Sequence, residues 1–375
     1  MPKKILFAIS DTGGGHRSAA LALTEAIRQA AGEDVNCTMV DFLKATQLPG
    51  IRNAPAIYNY ASSRKVWLYD FFFRLTNDSR RMDRITNLLF PLAASRFEAE
   101  IRTVNPDLVV VVHPLLVRAI CAARKKGGFR WPVITVVTDL VSFHASWAYA
   151  ESDLCLAPTE EAARILAQYG VPPEKIIYTG FPVHPKFSTS HSQQQARQAL
   201  GINPDAFTVL ITGGGVGSGK MYDIVKTLEK VCPDKQLLVI TGNNKELYQT
   251  LSAGRQPGSL THVYGFVNNM ETMMAASDIV VTKAGPGTIM EVLAMRRPLV
   301  ITQAVGVQET GNIDFVVNHK LGFSCSDPAG IAQIVNRMTQ PDAAWAVNSE
   351  NLHKIPADGA GKIAGLIRER LASLT

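Results

Sequence analysis

Disulfide chemistry is what this 375-residue chain has least material for: its five cysteines (Cys37, Cys121, Cys155, Cys232, Cys325) lie far apart, with no Cys-x-x-Cys pair. That pattern excludes a disulfide scaffold and a zinc ribbon, and predicts reduced, mostly buried thiols of a cytosolic protein. Long apolar runs are missing too. The most apolar stretch, Leu108–Val117, is interrupted by His113 and Pro114 and is too short to cross a bilayer. The opening MPKKILFAIS runs straight into a strand pattern, which predicts no secretory leader. No short repeat or low-complexity tract occurs. With 46% hydrophobic and 19% charged residues the chain is not a disordered one, and its 28 glycines have no collagen period.

What is present is material for more than one core, so two domains are expected. The net charge of +6 is unevenly placed: Arg52–Arg130 holds 14 Lys and Arg against 6 Asp and Glu, and the other residues are close to neutral. A basic patch of that kind meets phosphate, whether on a lipid headgroup, a nucleic acid or a phosphorylated ligand.

Apolar, β-branched runs at Lys4–Ile9, Val35–Val40, Leu108–Val112, Val133–Thr138 and Leu154–Ala157 alternate with helix-like sequence. The rhythm restarts at Phe207–Thr212, Gln236–Thr241, His262–Tyr264, Ile279–Thr282 and Leu299–Thr302. Strands alternating with helices predict parallel sheets covered on both faces, hence an α/β fold of two Rossmann-like domains. The polar stretch Ser188–Gln195 is the expected seam, giving domains 1–187 and 188–375, with the final helix able to pack back on the first.

One stretch breaks the rhythm. Within Lys65–Phe97, Trp67, Leu68, Phe71, Phe72 and Leu75 fall at helical spacing beside Arg74, Arg80, Arg81 and Arg84. Such a stripe suits a helix lying in a membrane interface, with rings at the acyl boundary and guanidinium groups on phosphates. It equally suits an amphipathic helix packed on its own domain.

Three turns carry candidate chemistry. Gly13-Gly14-Gly15-His16 joins the first strand to the first helix, and His16 there is a candidate general base or a polar helix start. Arg17 and Ser18 break the dinucleotide fingerprint. Gly214-Gly215-Val216-Gly217-Ser218-Gly219-Lys220 nearly spells a P-loop, but Met221 stands where magnesium needs a hydroxyl, so phosphate binding through backbone N–H groups is expected rather than ATP hydrolysis. Lys283-Ala-Gly285-Pro-Gly287-Thr288-Ile-Met-Glu291 opens a helix whose first N–H groups suit a diphosphate, with Glu291 placed for ribose hydroxyls. Thr288-x-x-Glu291 also reads as a capping box, and spacing does not separate the two.

SDTGGGHRSAA, VTDL with Trp147, TGFPVHPKF, TGGGVGSGK, YGFVNNM, TKAGPGTIMEVLAMRRPLV and GVQETGN occur in this order. Together they resemble the monogalactosyldiacylglycerol synthase type of glycosyltransferase, including bacterial relatives that glucosylate diacylglycerol, and more distantly MurG. The resemblance implies a GT-B architecture, two Rossmann-like domains facing across a cleft, the second binding a UDP-sugar and the first binding acceptor and membrane. It implies inverting transfer of glucose or galactose from UDP-glucose or UDP-galactose to diacylglycerol or a glycolipid. Neither cofactor nor metal is expected, since no Asp-x-Asp pair occurs and helix-start N–H groups can hold the leaving diphosphate.

Carried over by residue, the resemblance makes His16 the general base and Asp139 a second catalytic group, orienting His16 or acting on the acceptor. Phe266 and Val267 would lie against uracil, Gly214, Gly215, Gly285, Gly287 and Thr288 along the diphosphate, and Glu291 at the ribose. Gln308, Glu309 and Asn312 would reach the sugar. Trp67, Phe71, Phe72, Arg80, Arg81 and Trp147 are the expected acceptor and membrane contacts. The implied partners are an anionic membrane surface and no nucleic acid, and the expected location is cytoplasmic, peripheral on the inner face of the cell membrane. Two other readings stand beside this one: a UDP-N-acetylglucosamine 2-epimerase, which needs no lipid, and a non-catalytic nucleotide or glycolipid sensor.

Overall fold

Residues on either side of each strand in the first half are apolar, and the computed structural model shows why: the sheet they form is covered on both faces. It describes residues 2–11, 15–46, 73–189, 192–215, 217, 220–256, 258–304, 306–340 and 349–374. Two compact units emerge, one of Met1–Pro185, Val305–Gly311 and Asp358–Thr375, the other of Lys186–Ala304 and Asn312–Ala357. The chain therefore changes unit at Pro185 and twice returns to the first unit, which the polar stretch Ser188–Gln195 does not announce.

The first unit holds β1 (Lys3–Ile9), β2 (Val35–Asp41), β3 (Leu108–Val111), β4 (Val133–Val136), β5 (Leu154–Ala157) and β6 (Ile176–Tyr178). All pair in parallel, in the order β2-β1-β3-β4-β5-β6. Leu6, Ala8, Val109 and Val111 point to one face, where Phe97, Leu116 and Ile120 of two helices cover them. Ile5, Phe7, Ile9, Leu108 and Val110 point to the other, against Leu23 and Ile27 of helix Gly15–Ala31 and Ile363 and Ile367 of helix Gly359–Ala372. Each such side chain taken out of water contributes about 1.5–3 kcal/mol before entropy is counted.

The second unit repeats the plan with β7 (Thr208–Thr212), β8 (Gln236–Ile240), β9 (Thr261–Tyr264), β10 (Ile279–Thr282), β11 (Leu299–Ile301) and β12 (Gly322–Ser324). Their order is β12-β11-β10-β7-β8-β9, again all parallel. Helices Met221–Val231 and Pro328–Arg337 close one face over Val209, Ile211, Val239 and Val281. In each sheet the winding reverses beside the first strand, between β1 and β3 and between β7 and β10. Loops leaving the carboxyl ends of strands at such a reversal form a ready-made crevice.

β6 and β12 are not among the expected strands. Helix Ser79–Val104 starts later than the aromatic stripe, because the Asp78 side chain accepts from the Arg81 N–H and caps it there. Trp67, Phe71 and Phe72 lie outside the described residues. All five cysteines are free, with Cys121, Cys155 and Cys232 buried. Among the described residues no helix is long and apolar enough to cross a membrane.

Candidate active site

In the first unit, β1, β3 and β4 are neighbours, so whatever follows their carboxyl ends is brought together. His16, in the first turn after β1, places Nδ1 3.0 Å from Oγ1 of Thr138, two residues beyond β4. Its ring meets that of His113, which precedes helix Pro114–Gly127 at the end of β3, edge-on at 4.6 Å. The Trp147 ring lies 6.0 Å away. Burial pulls His16 down to about 4, against the Val112 backbone that favours its charged form, and burial with the nearby His16 ring pulls His113 well below the usual imidazole range. Both imidazoles are therefore neutral at neutral pH, the state in which a ring accepts a proton. Next to His16, Arg17 clasps Asp11 with bonds of 2.6 and 2.9 Å, and Lys44 reaches the same carboxylate at 2.8 Å.

One oxygen of Asp139 is engaged by a tryptophan. The Asp139 Oδ2 accepts from Trp147 Nε1 at 2.6 Å, while His16 meets the Thr138 hydroxyl and the Val112 backbone. Trp147 has no exposed surface at all, so it stands behind the site as a wall rather than on a face an acceptor could touch. Its short turn, Ala145–Trp147, is gripped from below. The buried Arg118 donates to the carbonyls of Ala145 and Ser146 at 3.3 and 3.2 Å and to Asp83 at 2.7 Å, while Asn77 accepts from the Ala145 N–H.

The second unit gathers its turns at the reversal between β7 and β10. Gly214, after β7, has φ +72°, and a side chain there would stand 3.2 Å from Cε of Lys283, which follows β10. Gly242, after β8, has φ +58°; a Cβ would come within 2.6 Å of the Gly215 carbonyl, so only glycine lets these two loops touch. The Asn243 N–H closes the contact on that carbonyl at 2.9 Å. Phe266, after β9, is 63% exposed, with Val267 half-buried beside it. A bare ring at a strand end is a platform on which a base can stack.

Helix Pro286–Ala294 begins with Gly285 as its N-cap and no side-chain cap. This sets aside the capping-box reading. A capping box needs Thr288 at the cap and Glu291 in the first turn. Instead Gly287 and Thr288 lie within the first turn, whose N–H groups no side chain caps, and Glu291 lies a turn further on. Burial lifts the Glu291 carboxyl to about 7, against the pull of Lys186 and with a push from Glu271. Lys186 in turn bridges Glu271 at 2.7 Å and donates to the Asn268 carbonyl at 2.9 Å, tying down the turn that carries Phe266.

Gln308 and Glu309 fall in helix Gly306–Asn318; Glu309 is half-buried, and the Gln308 side chain lies outside the described residues. Asn312 is buried and donates to the Ala284 carbonyl at 2.9 Å, which fixes the turn before Gly285; its Oδ1 has no partner among the described residues. Among the described residues no three His, Cys, Asp or Glu side chains come together as metal ligands. Arg80 and Arg81 are exposed at the start of helix Ser79–Val104, and the same helix bares Leu88 and Leu92.

Sequence reasoning did not pick out Thr138, His113, Lys186 or Lys283. Each sits just beyond a strand or beside a turn it had already marked, so strand neighbour order was the missing signal.

Residues 16–183 match the family model described as monogalactosyldiacylglycerol (MGDG) synthase, and residues 208–306 match the glycosyltransferase family 28 C-terminal domain. A probable monogalactosyldiacylglycerol synthase 3, chloroplastic, of Oryza sativa subsp. japonica is 32% identical over 351 residues, 91% of this chain and 69% of that protein. Monogalactosyldiacylglycerol synthase, chloroplastic, of Spinacia oleracea is 31% identical over 360 residues, covering 91% and 67%. The crystal structure of Acinetobacter baumannii MurG superposes with TM-score 0.60 at 15% identity, over 98% of this chain and 100% of that one, a likeness of fold that makes the two-Rossmann architecture GT-B. The cytoplasmic location expected from the sequence is corrected by the two plant relatives, both of which are chloroplast proteins by name.

Proposed function

The chain belongs to the monogalactosyldiacylglycerol synthase family of glycosyltransferases, and from that premise we propose that it moves a glucose or galactose residue from UDP to a hydroxyl of diacylglycerol or a related glycolipid. It is a hexosyltransferase by family. We infer the UDP-sugar donor and the inverting course from the site. The observation that carries the donor assignment is the helix that starts at Gly285 without a side-chain cap. Its first N–H groups remain for a diphosphate, with the dipole favouring negative charge there. Phe266 and Val267 offer a face for uracil, Glu291 takes ribose hydroxyls, and Gly214, Gly215, Gly287 and Thr288 lie along the diphosphate. Gln308, Glu309 and Asn312 serve the sugar.

In the reaction, His16 takes the proton of the acceptor hydroxyl as its oxygen bonds to the anomeric carbon. The bond from that carbon to the diphosphate breaks, and the departing oxygen keeps the electron pair, stabilised by helix-start N–H groups rather than by a cofactor. The acceptor is a membrane lipid, so the enzyme meets an anionic bilayer; Arg80, Arg81, Leu88 and Leu92 of one helix are suited to it, arginines on phosphates and leucines at the acyl boundary. Family membership sets aside the epimerase and the sensor.

The test is incubation with diacylglycerol liposomes and a panel of UDP-sugars, UDP-N-acetylglucosamine included, with lipid and nucleotide products resolved by mass spectrometry. A hexosyl-diacylglycerol is expected from UDP-glucose or UDP-galactose. No glycolipid from any donor, or epimerised UDP-N-acetylglucosamine instead, would overturn the reading.

A further inference from the structure

Two neighbours in the chain, Thr138 and Asp139, end up beside His16, and the usual expectation is that the carboxylate holds the imidazole. The geometry points elsewhere. We propose that Thr138 is the positioning residue of His16: its hydroxyl holds Nδ1–H and leaves the Nε2 lone pair as the site that receives the acceptor's proton. The proposal rests on the reading of His16 as the base.

The fold makes the arrangement rigid on both sides. Val137 closes the last rung of the sheet by donating to the Leu156 carbonyl at 3.0 Å, so Thr138 is the first residue beyond the ladder and is itself buried. His16 enters from the first turn of the helix that follows β1. β3 lies between β1 and β4, and its following residue, His113, packs its ring edge against His16. The Nδ1 to Oγ1 distance of 3.0 Å is that of an ordinary hydrogen bond. Asp139, the next residue, accepts from the Trp147 indole through Oδ2 at 2.6 Å.

A hydroxyl and a carboxylate do different things to an imidazole. A carboxylate on Nδ1 stabilises the charged ring and favours holding a proton at rest. A hydroxyl carries no charge, so the buried ring stays neutral until substrate offers a proton. When Nε2 takes that proton both ring nitrogens become donors, and Oγ1 already accepts from Nδ1–H, so nothing has to reorient. A hydroxyl can donate as well as accept, so Thr138 places the ring, and the tautomer it holds is what the experiment reads.

The experiment compares Thr138→Val, which keeps the β-branched shape and removes the hydroxyl, with Thr138→Ser, which keeps the hydroxyl. Nitrogen-15 NMR of the His16 side chain reads the tautomer in the full chain without turnover, and steady-state kinetics reads kcat and KM. The wild type is expected to show the Nδ1–H form. Thr138→Val should lose that pattern and lower kcat about 10-fold, the worth of one ordinary hydrogen bond, while KM for the UDP-sugar stays put. Thr138→Ser should recover both the pattern and most of the rate. An Nε2–H ring in the wild type, an unchanged ring in Thr138→Val, or wild-type kcat in that variant would each refute the proposal. Failure of the base reading shows separately, as turnover retained by His16→Ala.

Discussion

Nucleotide binding should weaken as the pH falls through 7, and Glu291 should be the cause. Its carboxyl is lifted to about 7 by burial, so in the unliganded protein it is half-protonated near neutrality. Ribose hydroxyls donate to both oxygens of a carboxylate, and more strongly than to the protonated form, which turns one of those oxygens into a donor. Binding UDP therefore favours the ionised state, lowers the bound-state pKa and releases a proton. About nine-tenths of the groups are ionised at pH 8 and about one-tenth at pH 6, one unit either side of the midpoint. The dissociation constant should accordingly rise about 10-fold between pH 8 and pH 6, about 1.4 kcal/mol. Stability of the unliganded fold runs the other way. A carboxyl raised on folding contributes stability below its unfolded value, and that contribution is lost as the pH climbs through about 7. Calorimetric titration with UDP in buffers of different ionisation enthalpy reads both affinity and proton release. Glu291→Gln keeps the shape, cannot titrate, and isolates any protonation of UDP's own terminal phosphate. If wild type and Glu291→Gln show the same pH slope, the carboxyl does not meet the nucleotide and the ribose assignment fails.

His16→Ala should lower turnover by about 10²–10⁴-fold while calorimetric UDP affinity holds, and near-normal turnover would remove His16 from the chemistry. Arg80→Glu with Arg81→Glu should reduce co-sedimentation with anionic vesicles by at least about 10-fold, since each surface arginine is worth about 1 kcal/mol there and the change reverses both. Sedimentation equal to wild type over a range of salt would assign membrane contact to another surface.

The α/β rhythm was legible because parallel strands covered on both faces leave near-continuous apolar runs, such as Leu108–Val112 and Ile279–Thr282. β6 and β12 were not, because each is three residues long, lies at a sheet edge and carries half-exposed or polar side chains. The Val133–Thr138 run read as one strand although the ladder stops at Val136. That overrun hid Thr138, whose place beside His16 depends on β4 lying next to β3 rather than on anything in its own segment. Glu291 was legible as a candidate and ambiguous as to role until the cap position at Gly285 was known. Trp147 was marked as a contact residue through the family resemblance, but its indole N–H needed a buried partner and found Asp139.

Helix Gly359–Ala372 lies against helix Gly15–Ala31, so the first unit is completed by residues from the far end of the chain. On a ribosome this inverts the usual order of maturation. The unit made first stays unfinished, with Leu23 and Ile27 lacking Ile363 and Ile367, until nearly all the chain has emerged. At ordinary elongation rates that is a wait of roughly 10–40 s after Pro185 appears. The second unit receives its last residue, Ala357, beforehand. A chain cut short between Pro185 and Gly359 would thus carry an open apolar seam over Leu23 and Ile27, a natural handle for quality control.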